Sequence, residues 1–227
     1  MHAYGQRDGY AVSQMLPLTA KANGVDGKLQ VLTDSRFNRE LKQQMWGNGD
    51  WAFILPDSDP RHASFATKPP KPAELRIVTN ANHVLQSIPL EQPLAKVTEV
   101  QVLAGHTSFL VSVDYSVGFG SYAGVTTSLL DIADSQFKWA EAADVNTKRV
   151  ERIQLPRTLK TAWKLLPFRG SHDILLVSCR PTFRDNEFVI GYVRYRFNGK
   201  QWIEYKRLRK GIWESDEPFP PASKFPQ

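Results

Sequence analysis

A single cysteine, Cys179, excludes an internal disulfide and a cysteine-based metal cluster, and it leaves the redox compartment open. No run of eighteen apolar residues occurs, so no transmembrane helix is expected. The N-terminus, Met1 to Asp8, lacks an apolar segment behind a basic one and shows no signal peptide. Two locations stay open: the cytosol, or the periplasm or exterior with Met1 standing where a leader has been removed. Helical periodicity is scarce and βαβ alternation is missing. At 227 residues and 41% hydrophobic content, the chain can nonetheless bury a full core without disulfides or metal.

What is present is strand patterning. From Phe188 to Arg209, apolar and polar residues alternate up to Asn198-Gly199 and resume at Trp202. Asn-Gly tolerates positive φ at both turn positions, so the stretch predicts a hairpin. Fainter matches lie upstream. Ile88, Leu90 and Leu94 align with Ile153, Leu155 and Leu159; Leu110-Val111-Ser112 aligns with Leu176-Val177-Ser178; Leu130, Ile132, Trp139 and Glu141 align with Val193, Tyr195, Trp202 and Glu204. Two copies, 84–142 and 149–206, then form a duplicated β unit within 73–210. One small sheet leaves an apolar face in water, and two copies can bury each other.

The expected fold is therefore mainly β: two tandem antiparallel meander units packed together, sandwich-like or as an incomplete propeller-like arrangement, with one N-terminal helix. Residues 1–34 begin polar and irregular, and Val25 to Val31 reads as a turn feeding a strand. Asp34 or Ser35 caps a helix running through Trp46, with Phe37, Leu41 and Met45 on one apolar face and Gly47 as its stop. Trp51 to Leu55 reads as a short strand. Pro56 to Pro72 reads as an extended linker closing the segment 1–72, or as a proline-rich ligand. Residues 211–227 form an extended tail whose aromatics strap onto the body.

Chemistry is harder to find. The net charge is +6, but from Arg149 onward 16 Lys/Arg stand against 8 Asp/Glu, so the basic excess belongs to the C-terminal third. Gly118-x-Gly120-x-x-Ala123 matches a dinucleotide fingerprint in name only, because a strand-like run follows where a helix is required. No cofactor is expected. His106 and His172 lack a second ligand at metal spacing, so no metal site is expected. No catalytic residue is assigned. A hydrolase using His172 with Cys179 or Ser178 is kept as an alternative, against the inertness of a buried cysteine. Lys206-Arg207-Leu208-Arg209-Lys210 carries charge without an aromatic face beside it, so nucleic acid is not the expected partner. Gly, Ser and Tyr in the 116–124 loop are the residue types of adaptable protein-binding loops. The candidate partner-binding residues are accordingly Phe119, Ser121 and Tyr122, with Arg207, Arg209 and Lys210 steering an acidic protein.

The pair Trp139 and Trp202, with Tyr195-x-Phe197-Asn198-Gly199-x-x-Trp202, resembles exported β-repeat proteins of Gram-negative bacteria. Some of those look like periplasmic inhibitors or immunity proteins that neutralise a toxin. The resemblance covers about residues 84–210 and implies a non-enzymatic protein that binds another protein. The alternative from another class is a surface module binding a glycan or other polyanion.

Overall fold

The computed structural model describes residues 9–47, 55, 57–103, 106–116, 120–184 and 187–227. The chain is mainly β, arranged in three sheets where two were expected. The first sheet runs in chain order through β1 (Tyr10–Leu18), β2 (Gly27–Asp34), β3 (Glu74–Thr79) and β4 (Val84–Pro89), all antiparallel. The second joins β5 (Ala95–Leu103), β6 (His106–Tyr115) and β7 (Gly124–Ala133), with β8 (Gln136–Trp139) and β11 (Gln154–Arg157) both paired to β7. In the third, β12 (Thr161–Phe168), β13 (Ser171–Pro181), β14 (Phe188–Phe197) and β15 (Trp202–Lys210) form a meander. There β15 also pairs in parallel with β9 (Glu141–Asp144), which carries β10 (Val150–Arg152). The two stretches aligned in the sequence do not each make one sheet. Residues 84–142 begin in the first sheet and end in the third, and 149–206 pass from the third to the second and back.

The extra sheet depends on β1, whose Pro17 and polar start read as irregular. Pro17 is accommodated because β1 is an edge strand, so its missing N–H takes nothing from an interior ladder. Pro156 of β11 and Pro167 of β12 also sit on edge strands.

Stacking makes the middle sheet two-faced. Along β7, Thr127, Ser128, Leu129 and Leu130 are all buried, where a half-exposed strand would alternate. Leu130 and Ile132 share a core with Leu29, Val31, Leu75 and Ile77 of the first sheet. Leu129 shares a second core with Ile174, Leu176, Val193 and Trp202 of the third. The third sheet's other face is closed by the C-terminal tail, where Trp213 and Phe225 pack on Leu175, Val177 and Tyr192. Burying each such side chain contributes about 1.5–3 kcal/mol.

A four-residue turn of helix, α1 (Ala20–Asn23), joins β1 to β2. The expected apolar stripe holds, since Phe37, Leu41 and Met45 are buried with Phe65 and Leu94. The helix itself, α2 (Arg39–Met45), is shorter than its stripe. Asn38 caps it, accepting from the Leu41 N–H at 2.7 Å. Asp34 ends β2 instead, and its carboxylate is taken by the Arg36 guanidinium and the Lys71 N–H. Trp46 is the C-cap, and Gly47 adopts φ +81°, the left-handed geometry a helix stop requires. Another helix, α3 (Pro60–Thr67), stands where an extended linker was expected. Asp59 caps it and Pro60 fills the first turn, where a missing N–H costs no helix bond. Arg36 ties α3 to the body, donating to the Ser64 and Lys68 carbonyls with its guanidinium 4.5 Å from the Phe65 ring.

The β14–β15 hairpin forms at the expected place with a longer turn. Only Gly199 takes positive φ, and the Asn198 side chain accepts from the Lys200 and Gln201 N–H groups. The local side-chain bonds do what a second left-handed residue would have done.

Candidate functional site

Of the residues expected to meet a partner, Arg207, Arg209 and Lys210 lie at one end of the third sheet, and Ser121 and Tyr122 precede β7 of the second. Phe119 falls outside the described residues. Ser121 is half-buried, with its C=O accepting from the Lys160 N–H at 3.3 Å, and Tyr122 is exposed. From Lys160 the ladder continues through Cys179 and Ile190 to Arg209. Four strand spacings therefore separate Ser121 from Arg209, about 19 Å. Arg207, Arg209 and Lys210 are exposed along the end of β15. Arg207 donates to the Lys224 C=O at 3.4 Å, and Lys210 lies 3.6 Å from Glu187.

Sequence reasoning missed the apolar content of this end. Phe183 is fully exposed, and Leu208 and Ile212 are each about half exposed. Phe183, Val189 and Leu208 line a cavity of about 460 Å³ together with Arg180. Phe183 gave no periodic signal because it sits in the turn between β13 and β14.

A second concave region forms around Trp46. Two cavities, of about 330 and 440 Å³, share Trp46 and Lys96 as a common wall. The Lys96 ammonium lies 4.1 Å from the Trp46 ring centroid. Arg39 and Lys42 of α2 line the first cavity, and Arg157 and Trp163 line the second. Arg157 stacks 4.7 Å from the Trp163 ring and donates to its C=O at 3.0 Å. The floor is the register row Lys96, Ser112 and Thr127 on three adjacent strands, with the two hydroxyls 2.8 Å apart. Burial holds the ammonium groups of Lys42 and Lys96 below the ordinary lysine range, with Asp114 opposing the effect at Lys96. Buried Asp114 is itself engaged, accepting from the N–H groups of Gly47 (2.8 Å) and Ser116 (3.0 Å). It pins the end of α2 to β6 and so sets where Trp46 stands. These residues are scattered from 39 to 163, and no local pattern links them.

The catalytic alternative is not assembled. β13 separates His172 from Cys179 by seven residues, about 23 Å and on opposite faces, and from Ser178 by six residues, about 20 Å. His172 meets the Gln101 C=O at 3.1 Å. Cys179 is buried in the core beneath the tail. Gly118 lies outside the described residues, and Gly124 opens β7, so the glycine-rich loop leads into a strand. Among the described residues, no three His, Cys, Asp or Glu side chains group to hold a metal, and no helix is long and apolar enough to cross a membrane. Among known protein families, curated proteins and solved structures, none matches this chain.

Proposed function

We propose that the protein is a non-enzymatic binding protein that engages an acidic protein partner through the end of the third sheet. It would act as an inhibitor or immunity protein does, covering a toxin or enzyme by direct contact, in the periplasm or outside the cell. The observation that carries this reading is fully exposed Phe183 beside Leu208, with Arg180 in the same cavity wall, Lys210 on the Leu208 side of β15 and exposed Arg207 and Arg209 on the other side of that strand. Exposed apolar side chains rimmed by arginine are what protein interfaces use as anchors, and the charge selects and steers the partner. Tyr122 and Ser121 extend the same end.

The test is capture of a stoichiometric partner by the wild type, by cross-linking and size-exclusion chromatography, from cells co-expressing the neighbouring genes. Phe183→Ser with Leu208→Ser abolishes capture, and Arg207→Glu with Arg209→Glu weakens it in a salt-dependent way. Undiminished capture by both double variants refutes the surface.

A further inference from the structure

The cavities around Trp46 answer to a different chemistry from the partner-binding end. Among the described lining residues, four are cations, Arg39, Lys42, Lys96 and Arg157, and none is a carboxylate. Among the described residues, none of the four forms an ion pair, although acidic side chains are plentiful elsewhere on the surface. Buried Asp114 offsets part of the positive charge at Lys96, but four cations still outnumber it, so the arrangement becomes more favourable when an anion enters. One of the four, Lys42, is also half-buried and partly stripped of water. The Trp163 indole N–H adds a buried donor with no acceptor among the described residues.

The remaining wall narrows the ligand. Ser112, Thr127 and Thr98 supply hydroxyls on the sheet floor, which can both donate to and accept from hydroxyls of a ligand. Among the described lining residues, Trp46 is the one half-exposed aromatic platform, because Trp163 is nine-tenths buried. A nucleic-acid strand wants several open aromatic faces for its bases. The ring of Trp46 already carries Lys96, and that of Trp163 carries Arg157. A peptide adding itself as a strand would need the open edge of β5. That edge is plugged at Val97, whose C=O accepts from the Gln14 amide and whose N–H donates to it at 2.9 Å. Gln14 reaches across because β1 has a register shift between Val12 and Gln14, and such irregularities re-aim a side chain. The two cavities share Trp46 and Lys96 as a common wall, and their joint extent suits a chain of several units rather than a single small ion.

We infer that this groove is a binding site for an acidic oligosaccharide, with Lys96 and Arg157 taking carboxylate or sulfate groups, Trp46 packing against a sugar ring and the Ser112–Thr127 row meeting sugar hydroxyls. Arg39 and Lys42 extend the site along α2. Ala123 and Gly124 line the groove next to Tyr122, so the two regions adjoin there, and the arginines of β15, four strand spacings from Ser121, serve as the internal control.

The experiment titrates the full chain with a heparin-derived hexasaccharide, following tryptophan fluorescence and calorimetric heat at low ionic strength. A neutral maltohexaose and a short oligothymidylate are the comparison ligands. The hexasaccharide binds stoichiometrically and quenches Trp46, while the other two do not. Adding about 1 M salt, where the Debye length falls to roughly 3 Å, weakens binding. Lys96→Gln and Arg157→Gln each weaken it roughly tenfold or more, the scale of one lost charge-assisted hydrogen bond. Lys42→Gln, at a partly exposed helix position, gives a smaller loss. Arg207→Gln with Arg209→Gln leaves the affinity unchanged. Equal circular dichroism and urea midpoints show that each variant is folded, and the exposed Lys96 makes that variant safe. The inference is overturned by no hexasaccharide binding, by equal binding of maltohexaose, or by tighter binding of the oligothymidylate. It is also overturned if the Arg207/Arg209 variant loses as much affinity as Lys96→Gln, which would make the attraction one of net charge alone.

Discussion

Asp173 offers the sharpest test of how the third sheet is held. It lies on the face turned towards the tail and is 1% exposed. Its carboxylate accepts from Arg196 Nε (3.1 Å) and Nη2 (2.7 Å), and Arg194 Nε stands 3.8 Å away. The two arginines differ in their means of escape. The Arg196 side chain is 23% exposed and stacks on Phe168, so it can turn to water if the carboxylate is removed. Arg194 is 5% exposed, and burial already pushes its pKa down despite Asp173. At an effective dielectric of roughly 20, the Arg194–Asp173 attraction at 3.8 Å is about 4 kcal/mol before desolvation. Removing one member of a buried pair strands the other, typically at about 3–5 kcal/mol. Asp173→Ala is therefore expected to cost about 3–5 kcal/mol, a large fraction of the roughly 5–15 kcal/mol that holds a domain together. Urea unfolding at neutral pH, with the slope checked for constancy, measures it. Adding Arg194→Met removes the stranded charge and should restore at least about half of the loss, although the bond from Arg194 to the Ala222 C=O goes with it. A single variant costing under about 1 kcal/mol, or a double variant no better than the single, refutes the reasoning.

Further outcomes follow from the same geometry. Burial would raise the Asp34 carboxyl, but hydrogen bonds from Arg36 and from the Lys71 N–H outweigh it and hold the pKa below the ordinary carboxylate range. With the folded pKa below the unfolded one, this contribution is complete above about pH 4 and is lost as the pH falls through the folded value. The wild type should thus lose stability more steeply than Asp34→Asn as the pH falls below about 4, as read from urea midpoints. An alanine Cβ at Gly124 would fall far inside contact distance of the Arg157 C=O on β11. Gly124→Ala should cost about 2 kcal/mol or more and weaken hexasaccharide binding by displacing Arg157. Phe225 is fully buried over Tyr192 at the end of the tail. Phe225→Ala should cost about 3–5 kcal/mol and make the buried Cys179 reactive towards a thiol reagent that leaves the wild type untouched. Asn38→Ala removes the cap of α2 and should cost about 1 kcal/mol by thermal melting, with faster amide exchange at Leu41.

The mainly β character, the β14–β15 hairpin and the Phe37-Leu41-Met45 stripe were legible in the chain, because each rests on spacing along a few consecutive residues. The α3 start was legible too, since Asp59 before Pro60 is a cap followed by a first-turn proline. The density of prolines around it points instead to a linker and outweighs that signal. The third sheet count was not legible. Pro17 argues against a strand until β1 is known to be an edge, and edges are a property of the assembled sheet. The four-residue buried run in β7 also looks ambiguous until a sheet is placed on each face.

Residue order alone determined the mainly β character, the place of the β14–β15 hairpin, the Phe37-Leu41-Met45 stripe and that positive charge gathers late in the chain, since these depend on neighbours within a few positions. Tertiary structure decided the rest. It stacked three sheets, put Phe183 in open solvent beside Leu208, and drew Arg39, Lys42, Lys96 and Arg157 around Trp46. Those groupings arise from how sheets cross and how a buried Asp114 anchors α2, and contacts between residues dozens of positions apart leave no local periodicity to read.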